Sequence, residues 1–183
     1  KSVHIDGKAV MRRVRNERDR FVSFVLKDID SFPAEDKVRG WAKLLDDHTV
    51  QVDNHTHITT NSVVLATGSS SFVPDELLTA GDRLIQTDDV FYWQDLPKRI
   101  VLVGAGVIGL ELGIALQRLG VEVVVLTRGQ RIAGISDPKV LNYAQHIFGQ
   151  TVQLELDAQV TGTELNDNQV IVHYTQKGQS NQV

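Results

Sequence analysis

Residues 99–126 alternate between apolar and glycine-rich blocks, and these blocks predict a strand, a turn, a helix and a second strand. The apolar run 100–103 suits a short buried strand, and the glycine-rich segment 104–106 follows it at once. Residues 107–119 predict a helix that Gly120 ends. The apolar run 121–126 predicts another buried strand. This order is typical of a βαβ unit with a parallel sheet.

The remaining pattern predicts helical and strand segments on both sides of that unit. Upstream, we expect a helix over 9–28, with Met11, Val14, Phe21, Val22 and Val25 on one face, a three-strand meander over 38–45, 49–53 and 56–59, and a strand over 62–67. Downstream, Asp137 and Pro138 suit an N-cap and first helical position, which predicts a helix to about residue 148. A strand over 151–156 and an antiparallel pair, 159–165 and 170–175, complete the prediction, with a turn at Asn166, Asp167 and Asn168.

Three glycines in the first turn carry the candidate chemistry, because Gly104, Gly106 and Gly109 fit the spacing G-x-G-x-x-G. In a dinucleotide-binding unit the first glycine permits the tight turn, the second lets the backbone approach a pyrophosphate, and the third lets helix and strand pack closely. The helix N-terminus then offers free N–H groups to the phosphates. The strand before the glycines and the helix and strand after them favour dinucleotide binding over the alternative, a glycine-rich turn in an ordinary βαβ unit.

A second landmark lies upstream, where residues 61–69 read Asn-Ser-Val-Val-Leu-Ala-Thr-Gly-Ser. By periodicity alone this is a buried strand with a turn. Together with the later Gly-Ala-Gly-Val-Ile-Gly-Leu-Glu, it resembles the pyridine nucleotide-disulfide oxidoreductases, which bind two dinucleotides, and among them most closely the dihydrolipoamide dehydrogenases. The resemblance implies an α/β fold with a partial FAD-domain segment (helix plus three-strand meander) over residues 1–72. A Rossmann-like NAD(P)-binding domain would follow over 73–183, truncated at the C-terminus.

The same resemblance implies roles for individual residues. Val107 matches the position beside the flavin face, and Glu111 matches the acid near the nicotinamide, which relatives pair with a lysine that this chain lacks. No catalytic residue is otherwise expected here, and no metal ligand. The expected cofactor-binding residues are Gly104, Ala105, Gly106, Val107, Ile108, Gly109, Glu111, Thr127, Arg128 and Val160 for NAD(P), with Ala42, Ala66, Thr67 and Gly68 towards the flavin nucleotide.

The choice between NADH and NADPH depends on the end of the second strand. NAD-selective proteins place an acid there to bind the ribose 2′-hydroxyl. In this chain the position holds Thr127, which is not acidic, and Arg128 follows it. A guanidinium can pair with a 2′-phosphate, so the sequence slightly favours NADPH, with Arg131 as a second candidate for the same contact. Val107 leans the other way, towards the dihydrolipoamide dehydrogenases.

We therefore expect a central fragment of a flavin-dependent NAD(P)-disulfide oxidoreductase. The parent would transfer hydride between NAD(P)H and FAD and pass electrons to a disulfide or another acceptor, as a cytoplasmic homodimer. The chain begins at Lys1, has no cysteine and shows no earlier G-x-G-x-x-G, so the fragment alone is expected to be inactive. The alternatives are a stand-alone nucleotide-binding module and an FAD/NAD(P) reductase that does not act on a disulfide.

Composition excludes few further functions. A net charge of −4 argues against a dedicated nucleic-acid binder, and no apolar run approaches the length of a membrane helix. His55 and His57 share a strand face, but no third ligand follows at a suitable spacing, so we expect no metal site.

Overall fold

A computed structural model describes residues 4–167 and 169–183, which divide into two units. One unit is Asn16–Ser71, and the other combines the described residues up to Arg15 with Phe72–Val183. Among these residues, no helix has both the length and the apolar character that crossing a membrane requires.

Helix α1 spans Gly7–Asp30 and begins in one unit and ends in the other. The Asp6 carboxylate accepts a hydrogen bond from the Ala9 N–H at 3.0 Å, which satisfies a backbone group that has no partner within the helix. The predicted helix is confirmed, and the apolar side chains of its predicted face differ in exposure along its length. Met11 is buried, whereas the side chains of Phe21 and Val25 are 61% and 58% exposed. Burial of the face therefore holds for the first turns and fails beyond them.

The predicted meander is confirmed as strands β1 (Ala42–Leu44), β2 (Thr49–Val52) and β3 (Thr56–Thr59), paired antiparallel in that order. At the β1–β2 turn, the His48 N–H donates to Asp46 Oδ1 at 2.8 Å. This hydrogen bond, supported by Thr49, lowers the pKa of the Asp46 carboxyl. The hydrogen bond within this turn supports the pairing of β1 with β2.

The strand predicted over 62–67 is wrong. No strand of the described chain pairs with this segment. Val64 and Leu65 are 89% and 71% exposed, so the apolar run contacts little of the chain. An apolar run becomes a strand through its neighbours, and the sequence pattern carries no information about whether they are present.

The second unit contains the predicted βαβ arrangement. After two 3-10 helices, Asp75–Arg83 and Thr87–Tyr92, the chain forms β4 (Arg99–Val103), α2 (Val107–Arg118), β5 (Glu122–Leu126), α3 (Pro138–Gly149) and β6 (Gln153–Glu155). The three strands pair in parallel in the order β4-β5-β6. Asp137 caps α3 by accepting from the N–H groups of Lys139 and Val140, as its sequence position predicted.

An antiparallel sheet follows, made of β7 (Ala158–Asn166), β8 (Gln169–Gln176) and β9 (Gln179–Gln182). The predicted hairpin is confirmed as β7 and β8, although Asn168 of its predicted turn lies outside the described residues. Strand β9 was not predicted. It reaches β8 through a turn at Lys177 and Gly178, both at positive φ, which suits a two-residue hairpin.

Strand β5 lies at the centre of the unit and explains its layering. Val123 and Val125 pack into one apolar cluster with Leu110 and Leu116 of α2. Val124 and Leu126, which point to the opposite face, pack with Ala158, Val172 and Tyr174 of the antiparallel sheet. All four β5 side chains are buried, and burying each stabilises the fold by about 1.5–3 kcal/mol. The parallel sheet is therefore covered by helices on one face and by the antiparallel sheet on the other.

Candidate dinucleotide-binding site

The turn between β4 and α2 is held at the carboxyl edge of the parallel sheet. Gly104 lies at φ +115°, a conformation that favours glycine. Its N–H donates to the carbonyl of Leu126 at 2.8 Å, and Leu126 is also the residue that pairs with Val103 in the ladder. The turn therefore continues the sheet by one more hydrogen bond before the chain enters the helix.

Gly106 caps the N-terminus of α2 and leaves the space in front of it open. The residue is extended, at φ −68° and ψ 175°, and supplies no side-chain cap. A Cβ built on Gly106 would meet nothing within 4 Å. The N–H groups of the first helical turn have no acceptor within the helix, and they carry the positive end of its dipole. An anionic group can approach them directly because no side chain intervenes.

Gly109 and Gly113 bring α2 close to the turn and to the sheet, respectively. A Cβ on Gly109 would lie 2.5 Å from the carbonyl oxygen of Gly104. A Cβ on Gly113 would lie 3.0 Å from Leu102 Cδ1 and 3.5 Å from Val123 Cγ1. The close contact expected of Gly109 is thus made with the turn, and the contact with strand side chains belongs to Gly113. Sequence reasoning missed Gly113, although its spacing of four from Gly109 puts both on one helix face.

The loop after β5 is hydrogen-bonded to the glycine turn. Ala105 is buried, and its carbonyl accepts a hydrogen bond from the Ala133 N–H at 2.8 Å. Ala133 lies at φ +50°, an unusual conformation for alanine, and the preceding Ile132 is completely buried. Ile132 and Ala133 thus anchor the segment after β5 to the turn. No sequence signal indicated this tie, because it joins positions 28 residues apart through backbone atoms.

Thr127 and Arg128 follow β5 at the same edge as Gly104. The Thr127 N–H donates to the Glu155 carbonyl at 3.0 Å, and the Thr127 carbonyl accepts from the Ala158 N–H at 2.8 Å. Thr127 is half-buried, and Arg128 is exposed. Within the described chain, the Arg128 guanidinium makes no hydrogen bond or ion pair. The charge of Arg128 is therefore available to a ligand beside the glycine turn.

The first turn of α2 presents the three remaining candidates of this region. Val107 and Ile108 are 53% and 62% exposed, which is high for branched apolar residues at the start of a helix. Glu111 lies one turn further, on the same face as Val107, and is also exposed. Its carboxylate has no ion-pair partner in residues 4–167 and 169–183.

The other predicted residues do not join this group. Val160 of β7 packs beside the cluster of Val124 and Leu126, on the sheet face opposite the helices. Ala42, on β1, and the segment 66–68 belong to the other unit, where all of them are exposed. Within the described chain, no hydrogen bond joins Ala42 to that segment, so these residues alone form no cradle for a flavin nucleotide. The described residues also contain no group of three metal-ligating side chains.

Comparison with known proteins identifies the family. The model of the pyridine nucleotide-disulphide oxidoreductases matches residues 17–183, and the chain belongs to this family. A dihydrolipoyl dehydrogenase of Pseudomonas aeruginosa is 37% identical over 136 residues, which is 72% of this chain and 29% of that protein. A dihydrolipoyl dehydrogenase of Mycoplasma pneumoniae is 30% identical over 193 residues, covering 99% of this chain and 41% of its own length. The chain thus spans less than half of these curated relatives.

A solved structure has the same fold. A mutant of the HOCl-induced flavoprotein disulfide reductase RclA from Escherichia coli, in complex with Cu(II), superimposes with a TM-score of 0.80 over 97% of this chain and 41% of that one. Their sequence identity is 21%, so this similarity concerns the fold. It agrees with the α/β architecture predicted from the sequence.

Proposed function

We propose that residues 104–109 bind the pyrophosphate of NAD(P)(H), and that the chain is the central part of an FAD-dependent oxidoreductase. The parent enzyme transfers hydride between NAD(P)H and FAD and exchanges electrons with a disulfide. The observation that carries the proposal is the difference between the open space at Gly106 and the close approach at Gly109. Gly106 leaves the N-terminus of α2 open. At Gly109 the helix lies so close to the turn that a Cβ would be 2.5 Å from the carbonyl oxygen of Gly104.

The residues present fit a dinucleotide pyrophosphate. The free N–H groups at the start of α2 donate hydrogen bonds to phosphate oxygens, and the helix dipole stabilises their negative charge. The bonds of Gly104 to Leu126 and of Ala105 to Ala133 hold the turn in place before any ligand arrives, which reduces the ordering cost of binding. When bound, the nicotinamide supplies the hydride.

Arg128 supports NADPH as the preferred cofactor. Its guanidinium is exposed and has no ion-pair partner among the described residues, and it follows the strand edge where the ribose of a bound dinucleotide lies in this type of fold. A 2′-phosphate accepts two charge-assisted hydrogen bonds from such a group. Thr127, at the position where NAD-selective proteins carry an acid, offers no carboxylate to repel that phosphate.

The first turn of α2 faces the reacting end of the cofactor in this proposal. By family membership, Val107 would lie beside the flavin face and Glu111 near the nicotinamide. Glu111 pairs there with a basic group of the parent enzyme. Two observations support these roles: Val107 is 53% exposed, and the Glu111 carboxylate has no ion-pair partner in the described chain.

The remaining assignments rest on family membership. Residues 1–72 belong to the FAD domain and 73–183 to the NAD(P) domain, with Ala42, Ala66, Thr67 and Gly68 contributing to the flavin-nucleotide site. The relatives named dihydrolipoyl dehydrogenase support a disulfide as the electron partner. The parent enzyme works as a cytoplasmic homodimer.

Calorimetric titration with NADPH tests the proposal. The unmodified chain should bind in a saturable 1:1 manner, and Gly106→Val should lose binding because the branched side chain occupies the approach to the helix N-terminus. Gly149→Val is the matched control, since a Cβ at Gly149 also meets nothing within 4 Å but lies at the far end of α3. Equal titrations for all three proteins would refute the assignment.

A further inference from the structure

Two glutamine side chains hold the loop that carries Arg128. Gln145, on α3, donates from Nε2 to the carbonyl oxygen of Gln130 at 2.6 Å. Gln130 in turn donates from Nε2 to Asp157 Oδ2 at 2.9 Å, in the turn between β6 and β7. The Asp157 N–H lies 3.4 Å from the Gly129 carbonyl and donates to it. The loop 128–131 is thereby fastened on one side to a helix and on the other to a strand connection.

These contacts hold the loop and leave its arginines free. Arg128 and Arg131 flank Gly129 and Gln130, both are exposed, and neither makes a hydrogen bond or ion pair within the described part of the chain. Gln145 acts through a backbone carbonyl and brings no charge to the loop. A carboxylate in its place would compete with a ligand for the guanidinium groups, whereas a neutral amide does not.

The rest of α3 shows that Gln145 is suited to this role. Leu141, Ala144 and Phe148 pack against the core, so the helix is fixed relative to the sheet. The helix start is fixed as well, because Asp137 caps it with two hydrogen bonds. Gln145 is half-buried and leaves this rigid element to reach the loop. A donor on a rigid element restricts a loop more than one on a mobile segment does.

We propose that Gln145 is a positioning residue for recognition of the cofactor's 2′-phosphate. It fixes the backbone of residues 128–131 so that Arg128 is ordered before NADPH binds. The inference rests on the proposed NAD(P) site and goes beyond it, because it assigns cofactor choice to a residue on a neighbouring helix that contacts no part of the cofactor. NADH lacks the 2′-phosphate, so its binding does not depend on ordering Arg128.

The test is a comparison of NADPH and NADH dissociation constants for the full 183-residue chain. Gln145→Met removes the donor and keeps the length, helix preference and neutrality of the side chain. Losing one neutral hydrogen bond should weaken NADPH by about fivefold and leave NADH within about twofold. Gln150→Met is the matched control, because Gln150 bonds to His146 and not to the loop.

A second variant tests the other link. Gln130→Met removes the bond to Asp157 and should shift the cofactor ratio in the same direction. If Gln145→Met and Gln130→Met weaken both cofactors equally, or leave the ratio unchanged, the inference is overturned while the proposed NAD(P) site stands. If the unmodified chain binds neither cofactor, the proposed site fails and the inference fails with it.

Discussion

Replacing Gly109 by alanine is the change that most sharply tests how the glycine turn is built. The new Cβ would lie 2.5 Å from the Gly104 carbonyl oxygen, and an ordinary contact begins near 3.4 Å, so backbone has to move by about 0.9 Å. The obstacle is a main-chain oxygen and not the end of a flexible side chain. Moving it disturbs the peptide of Gly104, whose N–H bonds to Leu126 at 2.8 Å.

The expected cost follows from overpacking. Forcing one extra methyl group into a tight contact costs about 1–3 kcal/mol of unfolding free energy, and at this chain length a loss of 2 kcal/mol lowers the melting temperature by about 4–8 °C. Gly149→Ala is the control, because its Cβ meets nothing within 4 Å and it shares the gain in helix propensity. Thermal melts followed by circular dichroism measure the difference. Equal melting temperatures for the two variants would refute the contact, and NADPH binding should fall in Gly109→Ala alone.

Three further predictions concern the cofactor, a helix cap and a strand edge. Arg128→Ala should weaken NADPH by about 1.5–3 kcal/mol and leave NADH unchanged in calorimetry, and equal losses for both would remove Arg128 from the 2′-phosphate site. Asp137→Ala removes two capping hydrogen bonds and should cost about 1 kcal/mol in urea unfolding, while an unchanged midpoint would contradict its role. Strand β4 pairs with β5 alone within the described chain, so the chain should self-associate through its free edge in light scattering, and a strict monomer would contradict this.

The sequence predicted the βαβ unit because its signals are local. The strand β5 is buried on both faces, so it reads as an unbroken apolar run, and the glycines that follow β4 mark the turn before α2. Asp137 and Pro138 marked the start of α3 in the same way. Each of these signals lies within a few residues of the feature that it specifies.

The errors and omissions arise where structure depends on distant partners. The run 62–67 is apolar, yet no described strand lies beside it to form a ladder. Strand β9 reads Gln-Ser-Asn-Gln and has no apolar alternation, so its pairing with β8 follows from the turn before it. The ties from Ala133 to Ala105 and from Gln145 to Gln130 join separate segments through backbone carbonyls, which leave no trace in residue type.

The predicted site residues also differ in whether local spacing or distant packing decides their place. Gly104, Gly106 and Gly109 were predicted from spacing, and the structure puts Thr127 and Arg128 at the same edge of the sheet. Val160, in contrast, packs into the apolar core on the opposite face. Residue spacing predicts which residues are neighbours within one turn or strand. Which way Val160 faces depends instead on how the antiparallel sheet packs against the parallel one.

The most direct measurement of the central claim is a nitrogen-15 NMR titration of the chain with NADPH. Binding at the glycine turn should shift the backbone amides of residues 104–109 and 127–131 and should leave the amides of the meander, residues 42–59, unchanged. Gly106→Val should abolish these shifts. Perturbations confined to other segments, or identical shifts in the Gly106→Val protein, would contradict the assignment of the cofactor site to this turn.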